Sequence, residues 1–421
     1  MRQDDVSRVS SECGGEQGRA EYPDSMSVPL THSTPIYLDN HATTRLDPRV
    51  LEAMLPWLTD HYGNAGSVTH EPGREARAAV DAARETLAAA IGASAREIVF
   101  TSGATESNNL AILGLAARAP ADRRHVVTAV SEHRAVLDPV EHLERTGFSV
   151  TRLPVEPGSG RLDPGAVAAA LRPETSLVTV MLANNEIGTI HDIPAIAARM
   201  HAAGAVLHVD CAQALGRMPV SVDALGADLA SFSAHKFHGP KGAGFLYVRR
   251  RERAIRVDPL VFGGGQERGM RSGTLDVPGI VGMAEAARLA VASLDEEPAR
   301  LRSLRDRLWA LLQAGIPGIA LNGPPLADPA ARLVNNLNVR IPGVDGQSLL
   351  AALSTAGLAL SSGSACSSES PRPSHVLLAL GLTEDEARAS LRFGLSRFTT
   401  EAEIDEAARL IAAGVARLRA L

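Results

Sequence analysis

From residue 35 onward, short apolar runs alternate with longer segments in which apolar residues recur every three or four positions. Five runs have the length and composition of buried strands: 97–102, 125–130, 176–182, 205–210 and 228–234. In the segment before the first run, Val80, Ala83, Leu87 and Ile91 share one face of a predicted helix, and Gly92 suits its C-terminal cap. This alternation predicts an α/β fold, with a mainly parallel sheet covered by helices on both faces.

Beyond about residue 290 the pattern changes to long helices rich in Arg, Leu and Ala around one strand-like run, 333–341. The last helix is predicted to begin with a capping box of Thr400 and Glu403. Its apolar face comprises Ile404, Ile411, Val415 and Leu418. We therefore predict a large domain over residues 46–290 and a smaller α+β domain over 291–421. Residues 35–45 are predicted to pack on the smaller domain.

Residues 1–34 are polar and without periodicity, which predicts a disordered tail, and they lack the features of a signal or transit peptide. The net charge is −6 and no apolar run reaches the length of about eighteen residues that a membrane span needs, so we expect neither nucleic-acid nor membrane binding. The three cysteines, Cys13, Cys211 and Cys366, are far apart and odd in number. This number and spacing of cysteines argue against a disulfide framework or a zinc site and favour location in a reducing cytoplasm.

Lysine is nearly absent from the chain. Of 42 lysines and arginines, two are lysines, and both Lys236 and Lys241 lie in the stretch SAHKFHGPKG. Arginine can replace lysine on a surface, but not where an amine must lose its proton and attack a carbonyl, because guanidinium stays protonated. The pattern predicts a Schiff-base lysine. The alternative is a codon-biased genome that left two surface lysines, which their clustering disfavours.

Asp210 ends one predicted strand and Lys236 follows the end of the next. If these strands are neighbours, a carboxylate and an amine face one crevice at the carboxyl ends of the sheet. Pyridoxal phosphate requires such a pair, a lysine for covalent attachment and an acid against the pyridine nitrogen. The alternative is that Asp210 caps the N-terminus of a helix. Its pairing with Lys236 favours the cofactor role over this alternative.

The stretch FTSGATESNN (100–109) runs from a strand through Gly103 and Ala104 into a helix predicted to start near Thr105. Free amides at a helix N-terminus bind phosphate without a basic residue. The sequence contains neither a GK[ST] phosphate loop nor GxGxxG, which disfavours nucleotide binding.

Nine motifs follow one another in an order that is typical of one family: YLDNHATTRLDPRV, EIVFTSGATESNNLAI, EHRAVLD, NNEIG, HVDCAQ, SFSAHKFHGPKG, GGGQERGMRSGT, SSGSAC and RFGLSRFTTEAEID. On these motifs the chain resembles the cysteine desulfurases, pyridoxal-phosphate enzymes of the class V aminotransferase group, and its SSGSAC resembles the housekeeping bacterial branch. The resemblance implies fold type I with a seven-stranded, mainly parallel sheet, a homodimer, and desulfurase (sulfurtransferase) activity.

The resemblance also implies roles for individual residues. Lys236 would hold the cofactor and remove the substrate α-proton, Asp210 would pair with the ring nitrogen, and His133 would stack on the ring and move protons. Arg392, with Asn185, would bind the substrate carboxylate. Further cofactor contacts would come from Asn185 and Gln213 near the ring oxygen, from Ala104, Thr105, Ser233 and His235 at the phosphate, and from Thr274 of a second subunit. The alternatives are a structural role for His133 and a surface ion pair for Arg392.

Cys366 lies in SSGSACSSESPRPS, where Ser, Gly and Pro offer little for a buried thiol to pack against. A thiolate there suits attack on the sulfur of L-cysteine, leaving a persulfide on Cys366 and releasing alanine. By the resemblance, the sulfur would pass to an acceptor protein, an iron–sulfur scaffold or a tRNA-thiolation protein. Cys211 is predicted to be buried packing and Lys241 to support its loop. Two alternatives stay open, a selenocysteine lyase and a catalytically idle docking scaffold.

Overall fold

The computed structural model describes residues 35–362 and 372–420, so the predicted tail 1–34 and Cys366 lie outside the described residues. The strands are β1 (Ile36–Tyr37), β2 (Ile98–Thr101), β3 (His125–Ala129), β4 (Ser149–Leu153), β5 (Thr175–Met181), β6 (Val206–Asp210), β7 (Leu229–Ser233), β8 (Gly244–Val248), β9 (Ala320–Leu321), β10 (Asn336–Arg340), β11 (Leu358–Ala359) and β12 (Ser390–Gly394). The helices are α1 (Pro48–Thr59), α2 (Glu71–Ala90), α3 (Ala104–Ala116), α4 (Arg134–Arg145), α5 (Pro164–Ala170), α6 (Ile193–Met200), α7 (Val222–Leu225), α8 (Val277–Ala292), α9 (Glu297–Gly315), α10 (Gly346–Thr355), α11 (His375–Ala379), α12 (Glu384–Arg388) and α13 (Glu401–Arg419).

A seven-stranded sheet of order β2-β8-β7-β6-β5-β3-β4 forms the centre of the fold. The strands from β7 through β6, β5 and β3 to β4 are parallel, whereas β8 runs antiparallel to both of its neighbours. Each of the five apolar runs forms a strand, so the prediction of a mainly parallel sheet is confirmed.

Helices cover both faces of this sheet, as predicted, because successive strand residues point to opposite sides. Val127 belongs to a core formed with α2, α6 and α8, whereas its neighbour Val126 belongs to a core formed with α3 and α4. The predicted face of α2 is buried in the first of these cores, and Ile91 and Gly92 end the helix, Gly92 with a left-handed φ of 69°.

A second sheet, of order β12-β10-β9, is antiparallel and has its own apolar core. Leu38 joins this core, and β1 pairs with β11 in parallel. The predicted capping box of Thr400 and Glu403 is present at the start of α13. The domain boundaries given above stay a prediction.

Among the described residues, no single helix has the length and apolar character that crossing a membrane requires. The pair Val277–Ala292 and Glu297–Gly315, bent by 78°, meets the test together by length and composition.

The carboxyl ends of β6 and β7 lie side by side, because these two strands are parallel neighbours with Asp210 opposite Ser231. Lys236 follows β7 in a single 3-10 turn, Ala234–Lys236. The turn before α3 lies against the same edge, since β2 and β7 both pair with β8. Gly244 on β8 permits this approach, because an added Cβ would lie 2.5 Å from the Gly103 Cα. The tertiary fold thus assembles segments from distant parts of the sequence at one edge.

Candidate active site

A cavity of about 540 Å³ opens at this edge of the sheet. Its lining includes nearly all of the residues predicted to form the site, namely Ala104, Thr105, His133, Asn185, Asp210, Gln213, Ser233, His235, Lys236 and Arg392. Thr274 is exposed and does not line the cavity, and Cys366 lies outside the described residues.

Asp210 lies at the end of β6 with both carboxylate oxygens in defined contacts. Oδ2 accepts a hydrogen bond from Nδ2 of the buried Asn108 at 2.8 Å, and Oδ1 accepts one from the Ala212 amide at 2.9 Å. A turn follows Asp210 rather than a helix, so the N-cap alternative is wrong. These two hydrogen bonds fix the orientation of the carboxylate.

The Lys236 amine projects into the same cavity. Nζ donates to the backbone oxygens of His41 at 2.5 Å and Ala42 at 2.8 Å, and these two contacts position the amine. Unlike a guanidinium, a lysine amine can lose its proton and act as a nucleophile or base.

One end of the cavity is suited to an anion. Helix α3 begins at Ala104 after Gly103, which provides no side-chain cap, so the first amides of the helix have no partner within the helix. Gly103 has a φ of 148°, which a residue with a side chain rarely adopts, and Ser233 Oγ would lie 3.4 Å from an added Cβ there. His235 also lines the cavity, with Nδ1 3.1 Å from Thr43 Oγ1. Burial, with the charges of Lys236 and Lys241, lowers the pKa of His235 to about 4, so its ring is neutral near pH 7.

His133 is the N-cap of α4, where Nδ1 accepts a hydrogen bond from the Ala135 amide at 3.1 Å. The residue therefore has a structural function and at the same time lines the cavity. Burial lowers the pKa of His133, and the Asp210 carboxylate partly offsets this effect. A neutral imidazole near pH 7 can accept a proton.

Arg392 lies on β12 and is 1% exposed, so the alternative of a surface ion pair is wrong. Its Nη2 donates to Asp39 Oδ1 at 2.7 Å, and its Nη1 donates to the Asn185 backbone oxygen at 3.2 Å. Each terminal nitrogen carries a second N–H, so the guanidinium retains donors for a carboxylate in the cavity.

Sequence reasoning missed several residues that hold the site together. Asn108 holds Asp210, Asp39 holds Arg392, and His41 contacts Gln213 with Nδ1 3.1 Å from Oε1. All three belong to the family motifs quoted above, so the motifs marked their importance without indicating a role. Their partners are far away in sequence, which is why no local pattern revealed the contacts.

The other predictions have mixed outcomes. Cys211 is fully buried in the apolar core, as predicted. Lys241 is exposed in a turn and borders the cavity, so it lies closer to the site than a loop-supporting role requires. Within the described residues, no group of three or more His, Cys, Asp and Glu side chains is arranged to hold a metal ion.

The aminotransferase class-V family model matches residues 36–407. The cysteine desulfurase IscS of Anaeromyxobacter dehalogenans (strain 2CP-C) is 53% identical over 385 residues, covering 91% of this chain and 93% of that protein. Among solved structures, a NifS-like protein is 38% identical with a TM-score of 0.84, covering 91% of this chain and 100% of that one. SspA in complex with cysteine is 36% identical with a TM-score of 0.75, covering 86% and 99%. The chain therefore belongs to the class-V aminotransferases and, within that family, to the cysteine desulfurases.

Proposed function

We propose that this cavity binds pyridoxal phosphate and L-cysteine and that the enzyme transfers the cysteine sulfur to Cys366 as a persulfide, releasing L-alanine. The observation that carries the proposal is the convergence of Asp210, Lys236, His133 and Arg392 on one cavity. An acid, an amine, a neutral imidazole and a carboxylate-binding guanidinium are the groups that this reaction needs.

The polar groups that line the cavity fit pyridoxal phosphate, the cofactor of this family. Asp210 would hold a proton on the ring nitrogen, and the uncapped start of α3 at Ala104 and Thr105, with Ser233 and His235, would hold the phosphate. Lys236 would provide the covalent attachment. When bound, the cofactor supplies an electron-accepting ring that stabilises negative charge at the substrate Cα.

The remaining steps belong to the side chains of this chain. Arg392 would bind the substrate carboxylate through the second N–H of each terminal nitrogen and so orient the Cα–H bond toward Lys236. Lys236 would then remove the α-proton. The neutral His133, at the cavity wall, would accept and return protons as the bound species change.

The segment that carries Cys366 is bounded by described residues next to the site. Ser361 exchanges backbone hydrogen bonds with Arg392, and the Ser374 hydroxyl donates to Glu186 Oε2 at 2.5 Å. Cys366 is five positions after Ser361, and a fully extended chain over five positions spans at most roughly 17 Å. This reach supports attack by the Cys366 thiolate on the substrate Sγ, with the S–S bond forming as the Cβ–Sγ bond breaks.

We further propose a homodimer in which Thr274 of one subunit completes the phosphate site of the other. Thr274 is exposed and does not line the cavity of its own chain. An apolar stripe on α1 supports association, because Leu51, Leu55 and Leu58 recur at helical spacing and are each about half exposed. Contiguous exposed apolar surface marks interaction sites.

The experiment that tests the proposed function is alanine formation from L-cysteine by wild type and Cys366→Ser. The wild type should form alanine, and the serine variant should keep the cofactor colour but lose nearly all turnover, because a hydroxyl is a poor nucleophile toward sulfur and cannot store a persulfide. L-selenocysteine serves as the second substrate, since selenium leaves without a protein nucleophile. Turnover of selenocysteine alone would indicate a lyase, and a colourless protein without turnover would indicate a docking scaffold. Unimpaired Cys366→Ser activity on cysteine would contradict the persulfide step.

A further inference from the structure

His41 connects the two sheets through a ring that is 1% exposed. Its Nδ1 lies 3.1 Å from Gln213 Oε1, and its Nε2 lies 3.2 Å from Nδ2 of Asn336 on β10. The His41 backbone oxygen also accepts hydrogen bonds from Gln213 Nε2 at 3.0 Å and from Lys236 Nζ. One residue thus contacts the cofactor lysine, a cavity-lining amide and the smaller sheet.

The neighbouring contacts determine which ring nitrogen of His41 carries the proton. Asn336 Oδ1 accepts from Arg332, and Asn336 Nδ2 donates to the Glu186 backbone oxygen, so the Asn336 amide cannot be reversed without losing both hydrogen bonds. Its NH₂ group therefore faces His41 Nε2, which must accept. A neutral imidazole that accepts at Nε2 carries its proton on Nδ1. Nδ1–H then donates to Gln213 Oε1.

This tautomer also determines how Gln213 faces the cavity. Oε1 is used by the His41 ring, and one Nε2–H is used by the His41 carbonyl. Nε2 has a second N–H, and no acceptor for it is present among residues 35–362 and 372–420. We propose that His41 is a positioning residue, which fixes the Gln213 amide so that it presents a hydrogen-bond donor, not an acceptor, to the cofactor. This inference rests on the proposed function.

The electrostatic surroundings favour the neutral ring. Burial, together with the positive charges of Arg392, Arg217 and Lys236, lowers the pKa of His41 to about 3. A charged ring would donate from both nitrogens and would face the Asn336 NH₂ group with a proton. The donor that Gln213 presents is therefore constant across the pH range in which such an enzyme works. A donor toward a ring oxygen of the cofactor stabilises the anionic form of that oxygen.

The first test needs no substitution. Nitrogen-15 chemical shifts of the histidine rings distinguish the two neutral tautomers and the imidazolium, and His41→Asn identifies the His41 signals by their loss. We expect a neutral ring with the proton on Nδ1 from pH 6 to pH 8, both with and without pyridoxal phosphate. A ring protonated on Nε2, or an imidazolium in this range, overturns the proposal.

The second test measures the link to Gln213. In protein loaded with pyridoxal phosphate, the cofactor absorbs in the visible when its ring oxygen is anionic and in the near ultraviolet when that oxygen is protonated. The ratio of the two absorbances therefore measures how strongly Gln213 donates to the ring oxygen. His41→Leu removes the Nδ1–H bond, which contributes about 0.5–1.5 kcal/mol, so the ratio should fall roughly two- to tenfold. His41→Asn keeps an N–H near the position of Nδ1 and should stay within about twofold of wild type on the same scale. Equal ratios for His41→Leu and wild type would overturn the proposal.

A double variant separates positioning from general disruption. Gln213→Leu removes the donor itself, and adding His41→Leu to it should cause no further change in the ratio, because His41 acts through Gln213. Additive changes would overturn the proposal. The matched control is His191→Asn, a buried histidine that accepts from the Leu162 amide and does not line the cavity, and it should leave the ratio unchanged. If the wild type takes up no pyridoxal phosphate, the proposed function fails, whereas the tautomer measurement still decides the role of His41.

Discussion

Arg392→Lys is the most informative change in the substrate site, because it keeps the positive charge and removes the planar fork. In the structure, one guanidinium nitrogen contacts Asp39 at 2.7 Å and the other contacts the Asn185 carbonyl at 3.2 Å. A lysine amine can keep the contact with the Asp39 carboxylate, but it cannot at the same time offer two parallel N–H groups to a substrate. Arg392→Leu is less suitable, because it also leaves the partly buried Asp39 carboxylate without its counter-charge and so can destabilise the fold.

The expected loss follows from one hydrogen bond to a charged group. Such a bond contributes about 1.5–3 kcal/mol. A tenfold change in rate corresponds to about 1.4 kcal/mol, so kcat/KM for L-cysteine should fall roughly 10- to 150-fold. The loss should depend on the substrate carboxylate. With cysteamine, which lacks that carboxylate, the change should be less than about threefold.

The assay is sulfide release under reducing conditions from L-cysteine and from cysteamine, for wild type and variant. Arg397→Lys is the matched control, because Arg397 is also largely buried, pairs with Asp47 and Glu297, and does not line the cavity. It should change neither kcat/KM value appreciably. If Arg392→Lys loses activity equally on both substrates, the residue acts through Asp39 or through the fold and not on the carboxylate, and the reasoning is wrong.

Three further predictions concern the cofactor, the subunits and pH. Lys236→Ala should abolish the visible band of the purified protein while Lys241→Arg retains it, and a band that borohydride fixes on another lysine in Lys236→Ala would contradict the assignment. Mixed Lys236→Ala and Thr274→Ala subunits should regain activity above either parent; no gain in hybrids shown to form by native mass spectrometry would place Thr274 in its own subunit's site. Burial lowers the pKa of His208 from 6.5 to about 4. The unfolded chain therefore takes up this proton first, and the free energy of unfolding should fall by up to about 3 kcal/mol between pH 6.5 and 4. Urea titrations should show a smaller pH dependence for His208→Asn, and an identical one would refute the burial argument.

Much of the fold could be predicted from the sequence, because strands and helices bury apolar residues at fixed periods. The runs at 176–182 and 205–210 correspond to β5 and β6 within a residue at each end. The cap of α13 was also readable, since Thr400 and Glu403 interact over a single helical turn. These features depend on neighbours within a few positions, and a linear pattern contains that information.

The candidate site was predictable in its residue types and, through the family motifs, in its members. The scarcity of lysine marked Lys236 and Lys241 without any motif, and the position of Lys236 after a strand end then favoured it over Lys241. Its relation to Asp210 depended on β6 and β7 being neighbours, a condition that the sheet order fulfils. Whether Thr274 and Cys366 reach the cavity stays a prediction, because one depends on a second subunit and the other lies outside the described residues.

Tertiary structure alone decided what surrounds these groups. The partner of Arg392 is Asp39, 353 positions earlier, and His41 meets Asn336 across 295 positions. No period in the chain encodes such pairs, because they arise only when β12 and β10 pack beside the segment that follows β1. Burial then gives each polar contact its strength, since a donor or acceptor removed from water must find its partner within the protein. The sequence by itself determined which chemical groups the protein carries, and the packing of its two sheets determined which of them meet, in what orientation and in which protonation state.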